Sequence, residues 1–253
     1  MELSYIISPA KKMNVVEGPP YVEALPRFMA RTAQIVDTLQ AMGYDELKAL
    51  WRCGDALARL NYERLAGMDV ERDLTAAVIA YEGIQYQHLA AGVLDEASLA
   101  WLQGHLRILS GLYGVVRPFD GVVPYRLEMG AKLSVGGSRD LYDYWGSALY
   151  DALAQECDLI VNLASVEYAK AVTRWVRPDG PQVLTCLFGS VAASGRFVQR
   201  ATEAKAARGT FVRWCAERGV ADTAELRSFC ERGYVLDEGR SSEDELVFVQ
   251  AGN

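Results

Sequence analysis

The chain has 253 residues, 51% of them hydrophobic and 23% charged, with a formal net charge of -7. That length suits one large domain or two small ones and buries a core without staples, and the composition excludes a disordered chain. The acidic balance excludes a protein that coats nucleic acid by bulk attraction, but it leaves room for a local basic cleft. Leu3–Ser8, apolar and rich in β-formers, predicts a buried strand. Pro9 ends it, and Lys11 and Lys12 stand in the following loop, where functional side chains often sit after a central strand.

Between Pro26 and Met42, Phe28, Ile35, Val36, Leu39 and Met42 recur at helical spacing, with Pro26 suited to a first turn and Gly43 to a C-terminal cap. Asp45–Trp51 and Asp55–Met68 predict two more helices, each with an acidic start. Thr75–Tyr81 reads as a second strand, and 85–91 and 96–103 as helical segments. Beyond residue 130, Leu141–Glu156 predicts one amphipathic helix, Asp158–Ser165 the clearest strand, and Gln182–Phe188 another strand. Residues 203–219 predict a helix interrupted by Gly209, and the end of the chain a closing hairpin. Strands and helices interleave without a fixed period or a linker. The fold expected is α/β (mixed α+β), one compact domain over residues 1–253 with helices around a central mixed sheet.

The stretch 105–130 is the densest in binding residues, with Arg107, Arg117 and Arg126 among the rings of Tyr113, Phe119 and Tyr125. Gly111 and Gly114 are spaced as in the hairpin of helix-hairpin-helix DNA-binding motifs. There, glycines let backbone N–H groups approach a phosphate and nearby arginines add charge-assisted hydrogen bonds. The competing reading is a glycine-rich connection after a strand, since residues 107–110 suit a strand as well as a helix. Arg126 and Glu128, two apart, face one side of an extended segment. Asp120 and Glu128 are candidate acid/base groups or members of an ion-pair network, and His105 is a candidate base or a hydrogen-bonded structural residue.

Asn162 and Ser165 close the clearest strand, Ser165 as a plausible N-cap, with Glu167, Tyr168 and Lys170 in the helix that follows. Lys205 and Arg208, three apart, share a helix face that is either solvated or binding. There is no GxGxxG, no phosphate-binding GxxxxGK[ST] and no Ser-centred nucleophile elbow. The five cysteines form no CxxC pair, and only two histidines are present, so reduced thiols, no metal site and no cofactor are expected. No run reaches the length of a membrane span. The N-terminus lacks the basic and apolar regions of a signal peptide, which predicts a mature start and a cytoplasmic protein. The acidic stretch Asp237–Glu245 reads as a solvated loop.

Several segments together resemble the YaaA family of bacterial peroxide-stress proteins: ISPAK at 7–11, HLRILSGLYGVVRPFD at 105–120, PYRLEMG at 124–130, LYDYWG at 141–146, NLASVEY at 162–168, KAARG at 205–209, and SSEDELVF at 241–248. The match runs in order from residue 7 to 248. The resemblance implies a mixed α/β fold particular to that family and a cytoplasmic role in limiting iron-dependent oxidative DNA damage. It also implies binding of branched or distorted DNA through a basic cleft with a helix-hairpin-helix-like element. Carried to this chain, the implied contacts are Lys11, Arg107, Gly111, Tyr113, Gly114, Arg117, Arg126, Lys170, Lys205 and Arg208, with Asn162 added at its strand end. Where members often carry a lysine in a KGD segment, this chain has Glu82. A non-enzymatic DNA-binding stress protein is the reading favoured. The alternative is an enzyme on DNA or a nucleotide-like anion, with Lys11 as nucleophile and Asp120, Glu128 and Glu167 as further candidates. A third reading, iron handling, finds no ligand cluster in the sequence.

Overall fold

The computed structural model describes residues 2–250. Its centre is an eight-stranded sheet. In chain order the strands are β1 (Leu3–Ile7), β2 (Leu106–Ser110), β3 (Gly114–Val116), β4 (Leu159–Asn162), β5 (Gln182–Val191), β6 (Phe197–Val198), β7 (Tyr234–Leu236) and β8 (Glu245–Gln250). The spatial order is β7-β8-β5-β4-β1-β2-β3, with β6 paired to β5. The inner strands β8, β5, β4, β1 and β2 are mutually parallel, whereas β3, β6 and β7 pair antiparallel. The expected α/β architecture with a mixed central sheet is therefore present.

Every residue of β1 and β2 is buried, as continuous apolar runs require when both faces of a parallel sheet are covered. The main helices are α1 (Met29–Gln40), α2 (Tyr44–Trp51), α3 (Asp55–Ala66), α4 (Ile84–Leu89), α5 (Glu96–His105), α6 (Leu141–Trp145), α7 (Ala148–Ala154), α8 (Val166–Thr173) and α9 (Ala201–Arg218). On one face α5 places Trp101 against Tyr5, ring centroids 5.0 Å apart, and α9 places Phe211 against Phe188 at 5.5 Å. The closing hairpin expected from the sequence is β7 with β8, and β8 enters the sheet beside β5.

Four local expectations are corrected. Thr75–Tyr81 is not a strand: Thr75–Ala76 pairs with Gly121–Val122, Ala77–Ala80 coils into a helical turn, and Tyr81–Glu82 pairs with Lys12–Met13. The alanines favour the turn, and its first N–H groups, of Ala77 and Val78, donate to the carbonyls of Asp120 and Pro118. The helix expected over Leu141–Glu156 breaks into α6 and α7 at Gly146, which takes φ +53. Conversely, Gly209 does not interrupt α9. A Cβ there would stand 2.0 Å from the Gln85 carbonyl oxygen, so the glycine is the point where α9 crosses the backbone of α4. Finally, strands, not helices, flank Gly111 and Gly114. No helix-hairpin-helix-like element forms there, and the glycines make the turn of the β2–β3 hairpin, with Gly114 at φ +77.

Candidate functional site

The strand order creates one crevice. The chain leaves β1 towards β2 on one side and leaves β4 towards β5 on the other, although β1 and β4 are neighbours. Loops that diverge from adjacent parallel strands leave a gap at their carboxyl ends, the usual place for a ligand in an open α/β sheet. Here that gap is a chamber of about 540 Å³.

Each wall of the chamber has a local cause. The loop after β1 brings Ser8, Lys11 and Lys12, and the loop after β4 brings Ser165 at the start of α8. The two loops are tied together by the Ser165 N–H, which donates to Ser8 Oγ at 2.9 Å, and by the Ser8 hydroxyl, which donates to Ser165 Oγ at 3.2 Å. Ser165 therefore serves the neighbouring loop and makes no side-chain cap on its own helix. The short ladder between Lys12–Met13 and Tyr81–Glu82 carries the chain into α4, whose Gln85 and Tyr86 form the third wall, and the Tyr86 hydroxyl donates to the Ser8 carbonyl at 2.9 Å. The contact at Gly209 then holds α9 against α4 and presents Lys205 and Arg208 to the same space.

The last wall is the extended segment Tyr125–Glu128. It lies against the hairpin turn because Gly111 lacks a side chain: a Cβ there would meet the Leu127 carbonyl oxygen at 2.7 Å. Gly111 thus allows a close approach, but to the protein's own backbone and not to a phosphate. Tyr125 is anchored by Ser110 Oγ at 2.6 Å and by the Tyr81 hydroxyl at 2.9 Å, and burial pushes its phenol up to about 12.

Charge in the chamber is mixed. Glu128 Oε1 lies 2.7 Å from Lys11 Nζ and 3.2 Å from Arg126 Nη2, which is ion-pair distance, yet neither contact has hydrogen-bond directionality. Lys12 pairs with Glu82 at 2.7 Å. Glu167 Oε1 accepts the Gly130 N–H at 2.8 Å. In contrast, among the described residues neither Lys205 nor Arg208 has a carboxylate oxygen within 4.0 Å. Burial holds the Arg208 guanidinium below its ordinary value, the mark of a cation short of water and of a counter-charge. A smaller chamber of about 170 Å³, lined by Trp51 and Arg52, adjoins across Arg126, Glu128 and Glu167. Among the described residues seven buried side-chain polar atoms lack a hydrogen-bond partner, and five of them belong to residues lining these two spaces: Trp51, Gln85, Arg126, Glu128 and Arg208.

The remaining sequence candidates lie elsewhere. Arg107 and Arg117 converge on Glu156 at the amino end of β2, at 2.8 and 3.0 Å, with Arg27 at 3.7 Å and Asp120 beside them, around a separate cavity of about 340 Å³. Asp120 Oδ2 accepts the Arg117 N–H at 2.8 Å, and burial pushes its carboxyl up to about 6. Tyr113 and Gly114 are buried in the hairpin, the Tyr113 hydroxyl accepting the Val123 N–H at 3.2 Å. Asn162 is a structural residue at the end of β4, bonded to Thr185 Oγ1 and the Ala164 N–H. Lys170 points from α8 over the Tyr142 ring, 5.0 Å from its centroid. His105 lies against the Leu3 carbonyl at 2.9 Å and over Trp101. Thus Lys11, Arg126, Lys205, Arg208, Glu128 and Glu167 come together, while Arg107, Arg117 and Asp120 form a second cluster at the other end of the strands.

Sequence reasoning missed Gln85, Tyr86 and Trp51. The one signal for the first two was a glycine inside an otherwise helical run at 209, which marks a close backbone crossing without naming the partner. Among the described residues no three of His, Cys, Asp and Glu gather as metal ligands, and no helix is long and apolar enough to cross a membrane.

The fold and site define an α/β protein with a partly charged, ligand-sized chamber at the switch point of its sheet. Sequence comparison supplies the lineage: the family profile described as peroxide stress protein YaaA matches residues 3–240, and the chain belongs to that family. It is 45% identical over 248 residues to a UPF0246 protein of Pediococcus pentosaceus, covering 98% of each chain. A UPF0246 protein of Lachnoclostridium phytofermentans is 44% identical, over 97% of this chain and 95% of its own. One from Limosilactobacillus fermentum is 47% identical, over 98% and 100%.

Proposed function

We propose that this member of the peroxide-stress family works in the cytoplasm as a DNA-binding protein, with the chamber at the ends of β1 and β4 receiving a phosphate-bearing part of the DNA. The observation that carries the reading is Arg208: a half-buried guanidinium with no carboxylate oxygen within 4.0 Å, an unpartnered buried Nε, and Lys205 on the same helix face. A partly desolvated cation without a counter-charge is costly, and an anionic ligand offsets that cost. With a net charge of -7, the reading relies on attraction at this local site and not on the surface as a whole. A chamber of about 540 Å³ admits a nucleotide and excludes a duplex, so DNA with unpaired or distorted positions is the form that fits.

Binding to duplex, single-stranded and four-way-junction DNA across a salt series tests the reading. Arg208→Gln is expected to weaken binding to every form that binds and to reduce the slope of log K against log salt by roughly one. Arg117→Gln, at the other end of the sheet, is expected to change binding little. Unchanged binding by Arg208→Gln refutes the reading. A second reading, chemistry by Lys11 on the same ligand, rests on its place in the chamber lining with Glu128 at 2.7 Å, a carboxylate positioned to take the proton that the amine has to lose before it attacks. Borohydride trapping on abasic DNA decides it, since a lysine that attacks the sugar aldehyde leaves a reducible adduct.

A further inference from the structure

We infer that the main chamber is a pocket for a single nucleobase, with guanine the best match, whose 5′-phosphate lies at Lys205 and Arg208. The inference rests on the phosphate reading above and adds what enters beside the phosphate.

The lining divides into ring surface and spare polar atoms. Tyr86, Tyr125 and Tyr168 supply aromatic surface. The hydroxyls of Tyr86 and Tyr125 are already engaged, with the Ser8 carbonyl and with Ser110 and Tyr81, so these residues offer rings to a ligand and not hydroxyls. Base–aromatic contact is worth roughly 1–3 kcal/mol per base and needs no sequence-specific partner.

The polar part is unusual in its vacancies. Gln85 is 6% exposed, yet its Nε2 has no acceptor, Arg126 Nε is also unpartnered, and Glu128 Oε1, at ion-pair distance from Lys11 and Arg126, accepts no hydrogen bond. Each buried unpaired donor costs on the order of 1–3 kcal/mol, so the pair from Gln85 and Arg126 around one chamber is an arrangement expected where the partner is a ligand. With Arg208 given to the phosphate, two donors and one carboxylate acceptor remain for the base. An edge with adjacent acceptors plus a donor matches that set. Guanine presents O6 and N7 to donors, while its N1–H and N2 amino group suit a carboxylate. Adenine sets an amino donor where guanine has O6. Only a base outside a duplex fits the chamber, which makes the two sources of this ligand an extruded or single-stranded guanine in DNA and a free guanine nucleotide.

Calorimetric titration of the full chain with GMP, AMP, deoxyribose 5-phosphate and inorganic phosphate tests the base. GMP is expected to bind about tenfold or more tighter than AMP and than deoxyribose 5-phosphate, the discrimination of one good polar pair. Gln85→Leu is expected to weaken GMP about tenfold with a smaller effect on deoxyribose 5-phosphate, whereas Arg208→Gln weakens both. Because Gln85 is buried, Glu128→Gln serves as a second variant, and it too is expected to narrow the gap between GMP and AMP. Equal affinity for GMP and deoxyribose 5-phosphate, or AMP as tight as GMP, overturns the inference. A thymidine strand with one central guanine, and the same strand with an abasic site there, separates the sources. Preference for the guanine strand supports delivery in DNA, and tight GMP binding without that preference supports a free nucleotide. DNA binding that is indifferent to guanine and to Gln85→Leu, with no GMP binding, overturns the base pocket but leaves the phosphate reading standing. Loss of all binding to DNA and to phosphate overturns both.

Discussion

The contact at Gly209 makes a demanding test, because two effects of known sign oppose each other there. In an open helix, Gly→Ala gains about 1 kcal/mol from helix propensity and from a less flexible unfolded chain. At Gly209 the new Cβ would lie 2.0 Å from the Gln85 carbonyl oxygen, 2.9 Å from its carbonyl carbon and 3.0 Å from His88 Cβ. Ordinary contact needs about 3.5 Å, so α9 and α4 have to part by more than about 1 Å. The obstacle is backbone, which cannot rotate away. Overpacking of this kind costs roughly 1–3 kcal/mol or more. The upper end outweighs the propensity gain and leaves Gly209→Ala about 2 kcal/mol less stable, a fall in Tm of about 4–8 °C for a chain of this size. Urea unfolding is the assay, and the midpoint should fall with the slope unchanged. Gly104 in α5 is the internal control: a Cβ there meets no atom within 4 Å, so Gly104→Ala should stabilise by up to about 1 kcal/mol. If Gly209→Ala is as stable as the parent, the helices do not cross as closely as described, and the placement of Lys205 and Arg208 loses its cause.

Three further outcomes follow from the second cluster. Arg107→Met removes the 2.8 Å pair with Glu156 and two donations to the carbonyls of Gln103 and Leu106; with Arg117 and Arg27 still near Glu156, a loss of about 2–3 kcal/mol is expected by chemical denaturation. Adding Glu156→Leu to that variant should recover part of the loss, since the stranded carboxylate is then gone, and a double-mutant cycle measures it. Asp120 is held protonated up to about 6 by burial, against an unfolded value near 4. The folded state therefore binds the extra proton: the Asp120 contribution to stability is fullest below about pH 4, declines through about pH 6, and then levels off, by an amount on the order of 3 kcal/mol. Asp120→Asn should flatten that decline in urea midpoints measured from pH 4 to 7. Glu156 does not mask it. Burial opposes ionisation there, but the neighbouring Arg107 and Arg117 hold its carboxyl below the usual value, so its own contribution is lost only at more acidic pH.

What the sequence determined by itself was local. The apolar runs at Leu3–Ile7 and Leu159–Asn162 are strands because continuous β-rich burial leaves no other use for them. The two-residue spacing of Arg126 and Glu128, and the three-residue spacing of Lys205 and Arg208, already placed each pair on one face. Gly111, Gly114 and Gly209 stood out as special, but not for their actual reasons: each adapts to the protein's own packing, through a close approach or a turn. Only the tertiary structure decided which faces meet. Ser8 and Ser165 touch across 157 positions because β1 and β4 are neighbours whose chains diverge. Gln85 and Arg208 line one chamber because α9 crosses α4 at Gly209. Arg117 and Arg126, nine residues apart, part to opposite ends of the sheet because β3 runs antiparallel to β2 and the extended segment then returns to the hairpin turn. Periodicity is written in nearest neighbours along the chain, whereas a chamber is built from contacts whose loop-closure cost only the assembled core repays.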